Sequence, residues 1–404
     1  MARRATILAW CLSLAACATP APPRPDPPPA PAANHAWASF DSRGIVASGA
    51  FGLADRAGGR PLTIDDPVRI ASITKLHVAL GVMRMVESGR LDLDRDVSDW
   101  LGWRLRNPAF PDKPITLRLL LSHRSSLRDG INYAIPSGTT LQQAILPPLA
   151  FDSEHAPGTF FRYSNLNFPV IASVMEAASH ERFDRLMDRL VLKPLGMDAC
   201  FNWTTCAESR LGRAVVLYAP DGSVLRDDLK GKRPDCPAVP AADGSCELES
   251  YRLASNGALF SPQGGLRISV RDLVRTGRLL LGSGRTDEGV RFLSEASMNE
   301  MSRTAWRFDG ANGDTEGNFY CGYGLAIQIL GQCRPGDDPF GDGRPLIGHA
   351  GDAYGLRSGL WVDRERGIGI AYFATGLGDD PPRGKSAYRN VEEWLAAKMN
   401  RVRR

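Results

Sequence analysis

Strand-like sequence stands at the two ends of this chain, and helical sequence fills the middle. Residues 44–55 alternate and close in a Gly-rich turn, which predicts a hairpin strand leading to 67–71. Further strand-like runs lie at 323–330, 355–362 and 369–375. Between them, residues 72–88 form an apolar run stopped by Gly89, and 166–178, 182–195 and 270–281 are helical in period. An amphipathic helix is predicted over 385–399. Such an order excludes a row of independent domains. It predicts one α/β lobe built from both ends of the chain, about 37–80 and 265–404, with a helical lobe, about 81–264, inserted. With 404 residues, 43% of them hydrophobic and 23% charged, the chain can bury a large core.

Residues 1–16 read as an export signal: Arg3 and Arg4 precede an apolar run too short to span a bilayer. The run ends Leu14-Ala15-Ala16-Cys17, which resembles the bacterial lipobox, so Cys17 is the expected lipidation site. Eight prolines follow between residues 20 and 31. They cannot pack, and predict a semi-rigid tether over 17–36, extended at about 3.1 Å per residue. The expected location is the periplasm, with a lipid anchor in the outer membrane. A formal charge of +4 argues against a nucleic-acid partner, which a concentrated basic face would announce.

Six further cysteines fall into three close pairs, each within polar, Gly- and Pro-rich sequence. In an oxidising compartment they predict local disulfides: Cys200–Cys206, Cys236–Cys246 and Cys321–Cys333. A zinc site would need CxxC or His at ligand spacing, and neither occurs.

Common catalytic signatures are absent: there is no G-x-S-x-G elbow, Walker A loop, GxGxxG after a strand, or HExxH. What stands instead is Ser72-Ile73-Thr74-Lys75. Three residues apart on a helix, the Lys amine lies beside the Ser hydroxyl. A Ser hydroxyl attacks only when a neighbouring base takes its proton. A Lys can be that base once burial lowers its pKa. Tyr163-Ser164-Asn165 opens a later helix, and His349-Ala350-Gly351 sits on a strand near the C-terminus.

This trio, in this order, resembles the penicillin-recognising serine hydrolases, in the branch of class C β-lactamases, D-Ala-D-Ala carboxypeptidases, D-aminopeptidases and related esterases. Gly89-Arg90-Leu91-Asp92, Leu120-Leu121-Ser122-His123, Gly264-Gly265-Leu266 and Tyr323-Gly324-Leu325 fit the same pattern, and the likeness covers about residues 40–400. It implies a β-lactamase/transpeptidase-like α/β fold, an antiparallel sheet flanked by helices. It also implies an acyl-enzyme on Ser72, with Lys75 as activating partner and Tyr163, of phenolate character, as proton shuttle. Asn165 would hold Lys75 and the substrate amide. The backbone N–H groups of Ser72 and Asp352 would form the oxyanion hole, and His349 and Gly351 would line the substrate site. No cofactor or metal is implied. The expected protein is a monomer acting on a small-molecule, peptide or ester substrate, peptidoglycan-derived peptides among them.

Two departures bear on substrate. His349 replaces the Lys of β-lactamases, so peptide or ester acyl groups are favoured over penicillins, whose carboxylate would meet a neutral ring. His123-Arg124-Ser125-Ser126 lacks the Gly more usual after His-x-Ser. His77 and His123 read as packed side chains. Two other readings remain open: a class C β-lactamase, and a silent relative that binds peptidoglycan.

Overall fold

The computed structural model describes residues 34–146, 148–246, 248–333 and 336–403, with 401–403 described by backbone alone. The export signal, Cys17 and most of the tether lie outside the described residues. Residues 34–36, expected within the tether, belong instead to the first strand, β1, which spans Asn34–Asp41.

An eight-stranded antiparallel sheet organises the molecule. Its strands are β1, β2 (Gly44–Phe51), β3 (Trp306–Arg307), β4 (Gly322–Tyr323), β5 (Gln328–Ile329), β6 (Ile347–Ala353), β7 (Leu356–Asp363) and β8 (Ile368–Thr375). The spatial order is β3-β4-β5-β6-β7-β8-β1-β2. The N-terminal hairpin joins the C-terminal strands through β1 and β8, paired from Asn34↔Thr375 to Asp41↔Ile368. Every residue of β8 is buried, and its run is apolar up to Thr375, whose hydroxyl donates to Asn34 Oδ1. Ile370, Tyr372 and Ala374 pack with Trp37 against helix α4 (Asn390–Ala396), through Val391 and Leu395. Ala371 and Phe373 face the opposite way, joining Ala36, Ala38 and Phe40 in the main core. Helix α3 (Val270–Leu281) covers that face. It starts where Ser269 accepts from the Asp272 amide and stops at Gly282, the boundaries its sequence predicts. Gly277 and Gly369 both close on the Phe40 ring, and a Cβ on either would overlap it.

Helix α1 (Thr74–Glu87) and helix α2 (Asn167–Ser179) are almost wholly buried and carry the site between them. Three segments differ from expectation. β1 went unpredicted because it lacks β-branched residues and follows proline-rich sequence; tertiary pairing on both sides makes it a strand. The 323–330 run is two short strands about a turn, with Ala326 at φ 53°. There Leu325 and Ala326 donate to Met301 and Leu121 carbonyls instead of a neighbouring strand. The last helix begins at Asn390 rather than 385, because Glu393 folds back to accept from the Ser386 amide and hydroxyl. Cys200–Cys206, Cys236–Cys246 and Cys321–Cys333 are joined as their spacing predicts. No helix among the described residues is long and apolar enough to cross a membrane.

Candidate active site

Ser72 sits in a single 3-10 turn, Ala71–Ile73, that runs straight into α1. The turn is set by a strained residue, Ala71, at φ 48°. Behind it, Ser358 of β7 donates to the Ile70 carbonyl at 2.9 Å. Gly351 of β6 approaches so closely that a Cβ there would overlap Ile70 O and the Ser358 hydroxyl, and would stand 3.2 Å from the Ala71 methyl. Glycine at 351 is therefore what lets the strand lie against the turn.

Lys75 is completely buried one turn on. Its Nζ contacts Ser72 Oγ at 3.0 Å, Asn165 Oδ1 at 2.8 Å and the Gln263 carbonyl at 2.7 Å. Burial lowers its pKa to about 7, against the opposing pull of Asp129 and Glu316. A free amine is thus available near neutral pH.

Tyr163 lies between two flat partners, with the His123 ring at 4.3 Å and the Tyr320 ring at 4.7 Å. Its hydroxyl is enclosed and makes no hydrogen bond of normal geometry. Burial pushes its pKa well above the ordinary phenol value; the Ser72 and Tyr320 hydroxyls oppose this, while Glu316 and Asp129 add to it. The expected phenolate character is therefore wrong: the nearby positive group, Lys75, is too easily neutralised to offset the burial of a phenolate. Tyr163 stands as a neutral O–H.

His349 also differs from expectation. It is fully buried and does not line the cleft. Tyr323 Oη lies 2.7 Å from its Nε2, and its Nδ1 lies 2.6 Å from the Ala350 carbonyl. A carbonyl only accepts, so Nδ1 carries the proton and Nε2 accepts from the Tyr323 hydroxyl. Burial, with help from Lys75, lowers its pKa to about 3. The ring has nothing left to offer a substrate. Its neighbours on β6, Ala350, Gly351 and Asp352, do border the cleft, and the Asp352 side chain pairs with Arg357 at 2.8 Å.

His123 and His77 are packed, as their sequence setting suggests, and His123 also does local work. Its Nδ1 accepts from the Ser164 amide and from Asn167 Nδ2, each at 3.0 Å. His77 is held between the Ile73 carbonyl and Thr276. Sequence reading missed Tyr320, Gln263, Asp129 and Glu316, and gave Tyr323 no role beyond its place in Tyr323-Gly324-Leu325. No motif singles out the first four, and only folding brings them to the site. Glu316 lies in a turn with Glu316, Gly317 and Asn318 all at positive φ. Burial, with Asp314, Asp129 and Asp352 adding, raises its pKa to about 7. The cleft over these groups holds about 1140 Å³, and Ser72, Tyr163, Asn165 and Glu316 line it.

A profile of the Beta-lactamase family matches residues 32–393. The chain belongs to the beta-lactamase family. Esterase EstB of Burkholderia gladioli is 30% identical over 351 residues, 81% of each chain. Penicillin-binding protein 4 of Amycolatopsis lactamdurans is 24% identical over 334 residues, 81% of this chain and 77% of that one. The solved D-amino acid amidase of Ochrobactrum anthropi SV3, complexed with L-phenylalanine, superposes with a TM-score of 0.64. It shares 21% identity, over 92% of this chain and 93% of that one. This member of the beta-lactamase family is a serine hydrolase with a β-lactamase/transpeptidase-like fold.

Proposed function

We propose that this hydrolase cleaves ester and peptide acyl bonds through an acyl-enzyme on Ser72. The observation that carries the reading is the 3.0 Å contact between Ser72 Oγ and a buried amine whose pKa lies near 7. Ser72 Oγ attacks the acyl carbon and its proton passes to Lys75. The backbone N–H groups of Ser72 and Asp352 receive the oxyanion. Collapse breaks the acyl C–O or C–N bond; Tyr163 gives its proton to the leaving oxygen or nitrogen, and the Lys75 ammonium replaces it. Water then reverses the sequence and frees the acid.

Acyl groups without a carboxylate are preferred over penicillins. Buried His349 no longer supports this, and the cleft's arginines do not decide it. Arg69 and Arg267 share Asp227, Arg357 holds Asp352 and Arg389 holds Asp380. Arg226 and Arg383 also border the cleft, and among the described residues Arg226 meets only the Tyr354 ring. The coverage of EstB supports the preference. Residues 1–33 and the three disulfides support export with a lipid on Cys17 and a proline-rich tether.

Intact-mass measurement after exposure to p-nitrophenyl esters, and separately to a fluorescent penicillin, tests the chemistry. The expected result is an acyl adduct or turnover with esters, slow labelling by the penicillin, and neither in Ser72→Ala. Turnover retained in Ser72→Ala would end this reading. Palmitate incorporation that survives Cys17→Ser would end the reading of the anchor.

A further inference from the structure

Asp129 belongs to no motif, yet it is tied to the segment that carries Tyr163 and Asn165. It lies in the loop after Leu127 and borders the cleft. Its Oδ1 accepts from Ser164 Oγ at 2.9 Å and the Leu166 amide at 3.0 Å. Its Oδ2 accepts from the Asn165 amide at 3.0 Å and from Asn165 Nδ2 at 2.8 Å. One carboxylate, 35 to 37 positions away in sequence, thus accepts four hydrogen bonds from the segment just before α2. That helix has no side-chain cap of its own.

We propose that Asp129 is a positioning residue: it fixes which end of the Asn165 amide meets Lys75, and so aims the Lys75 lone pair at Ser72. The proposal rests on the reading of Ser72 and Lys75 given above. An ionised carboxylate can only accept, so it takes the NH₂ end of Asn165 and leaves Oδ1 for Lys75 Nζ. A neutral amine has two N–H bonds and one lone pair. Lys75 has three partners, of which Asn165 Oδ1 and the Gln263 carbonyl are acceptors only. They claim both N–H bonds. The third partner, Ser72 Oγ, lies 3.0 Å from Nζ. With both N–H bonds of the neutral amine claimed, the lone pair faces it, and in this proposal the Ser72 O–H donates to that lone pair. Were the Asn165 amide reversed, its NH₂ would take the lone pair, and an N–H would point at the nucleophile. The relay runs carboxylate, amide, amine, hydroxyl, and Asp129 sets its polarity from the far end.

Asp129→Asn tests this on the full exported chain, with p-nitrophenyl acetate as probe. A carboxamide can meet Asn165 with either end, so the amide is no longer held. We expect kcat to fall about 10²-fold with KM within about threefold, because the acyl pocket is untouched. The acid limb of the pH–rate profile should also move to lower pH, since the lost carboxylate favours the Lys75 ammonium. The other groups facing Lys75 stay in place: Glu316, the neutral rings of His123 and His349, and the phenols of Tyr163 and Tyr320. A purely structural role would lower the melting temperature and leave the kcat of the folded variant at the wild-type value, while the limb moves with the lost charge in either case. A folded Asp129→Asn with wild-type kcat overturns the proposal. Ser164→Ala removes one of the four bonds and spares the Asn165 pair. It should keep kcat within threefold, and a loss as large as that of Asp129→Asn overturns the role assigned to Asn165. Should Asp129→Asn not fold, Asp129→Glu carries the test: charge and limb are kept while kcat falls, and unchanged kcat overturns the proposal. Ser72→Ala is run beside them. Turnover there ends the nucleophile reading, whereas an inactive Ser72→Ala beside an unaffected Asp129→Asn ends the positioning role alone.

Discussion

Lys75→Met separates the chemistry of this amine from the free energy of burying it. Lys75 is fully enclosed, and burial takes its pKa from 10.5 to about 7. Unfolding returns the group to water. Between pH about 7 and 10.5 the unfolded chain therefore holds a proton that the folded chain lacks, and wild-type stability rises with pH. The slope is about 1.4 kcal/mol per pH unit, and the whole penalty, fully expressed below pH 7, is on the order of 5 kcal/mol. The sign follows from a depressed folded-state value: stability is complete above 10.5 and is lost as pH falls toward 7. Met removes that titration. It also leaves Asn165 Oδ1 and the Gln263 carbonyl without the donor they have now, at about 1–3 kcal/mol each, a loss that does not vary with pH. Urea unfolding with disulfides intact, from pH 6 to 10, should show a wild-type minus variant difference that climbs by about 1.4 kcal/mol per unit above pH 8. Glu316, raised to about 7 itself, broadens the bend at the lower end only. A flat difference across pH 8–10 would refute the reasoning, because Lys75 would then carry the same charge in both states. The kcat/KM profile of wild type should fall tenfold per unit below the same pKa.

Gly351→Ala drives a methyl into the carbonyl and hydroxyl that hold the Ser72 turn; it should cost about 1–3 kcal/mol in urea unfolding and about 10²-fold in kcat/KM. His349→Lys puts a second ammonium in the buried space beside Lys75 and strands the Tyr323 hydroxyl, so about 3–5 kcal/mol of stability should be lost. Faster penicillin labelling by a stable His349→Lys would show instead that the position faces substrate. Replacing both Cys321 and Cys333 by Ala opens a loop of sequence separation 12 and should lower unfolding free energy by about 3 kcal/mol, read by urea titration.

Local chemistry made much of this legible from sequence. Ser72 and Lys75 are three positions apart, so any helix there joins them, and the structure brings Nζ within 3.0 Å of Oγ. Helix α3 lies where its period places it, and its ends are set by Ser269, Asp272 and Gly282, whose capping needs no distant partner. Each cysteine pair spans a loop of 6 to 12 positions, short enough for spacing to decide the partner.

Where an environment rather than a neighbour sets behaviour, sequence reasoning gave way. His349 sits on the strand foreseen for it, yet whether its ring meets solvent depends on Tyr323, 26 positions away. The Tyr163 proton depends on how completely His123 and Tyr320 enclose the ring, since the cost of a buried anion exceeds what one neutralisable amine returns. β1 is a strand because β2 and β8 flank it, not because its residues prefer to be extended. Asp129 carries no local signature at all; its importance is four hydrogen bonds to a segment more than thirty positions on. Covalent spacing and turn chemistry are properties of the chain, and the sequence by itself determined them. Burial, dielectric and the polarity of a hydrogen-bond relay are properties of packed space, and only the tertiary structure decided those.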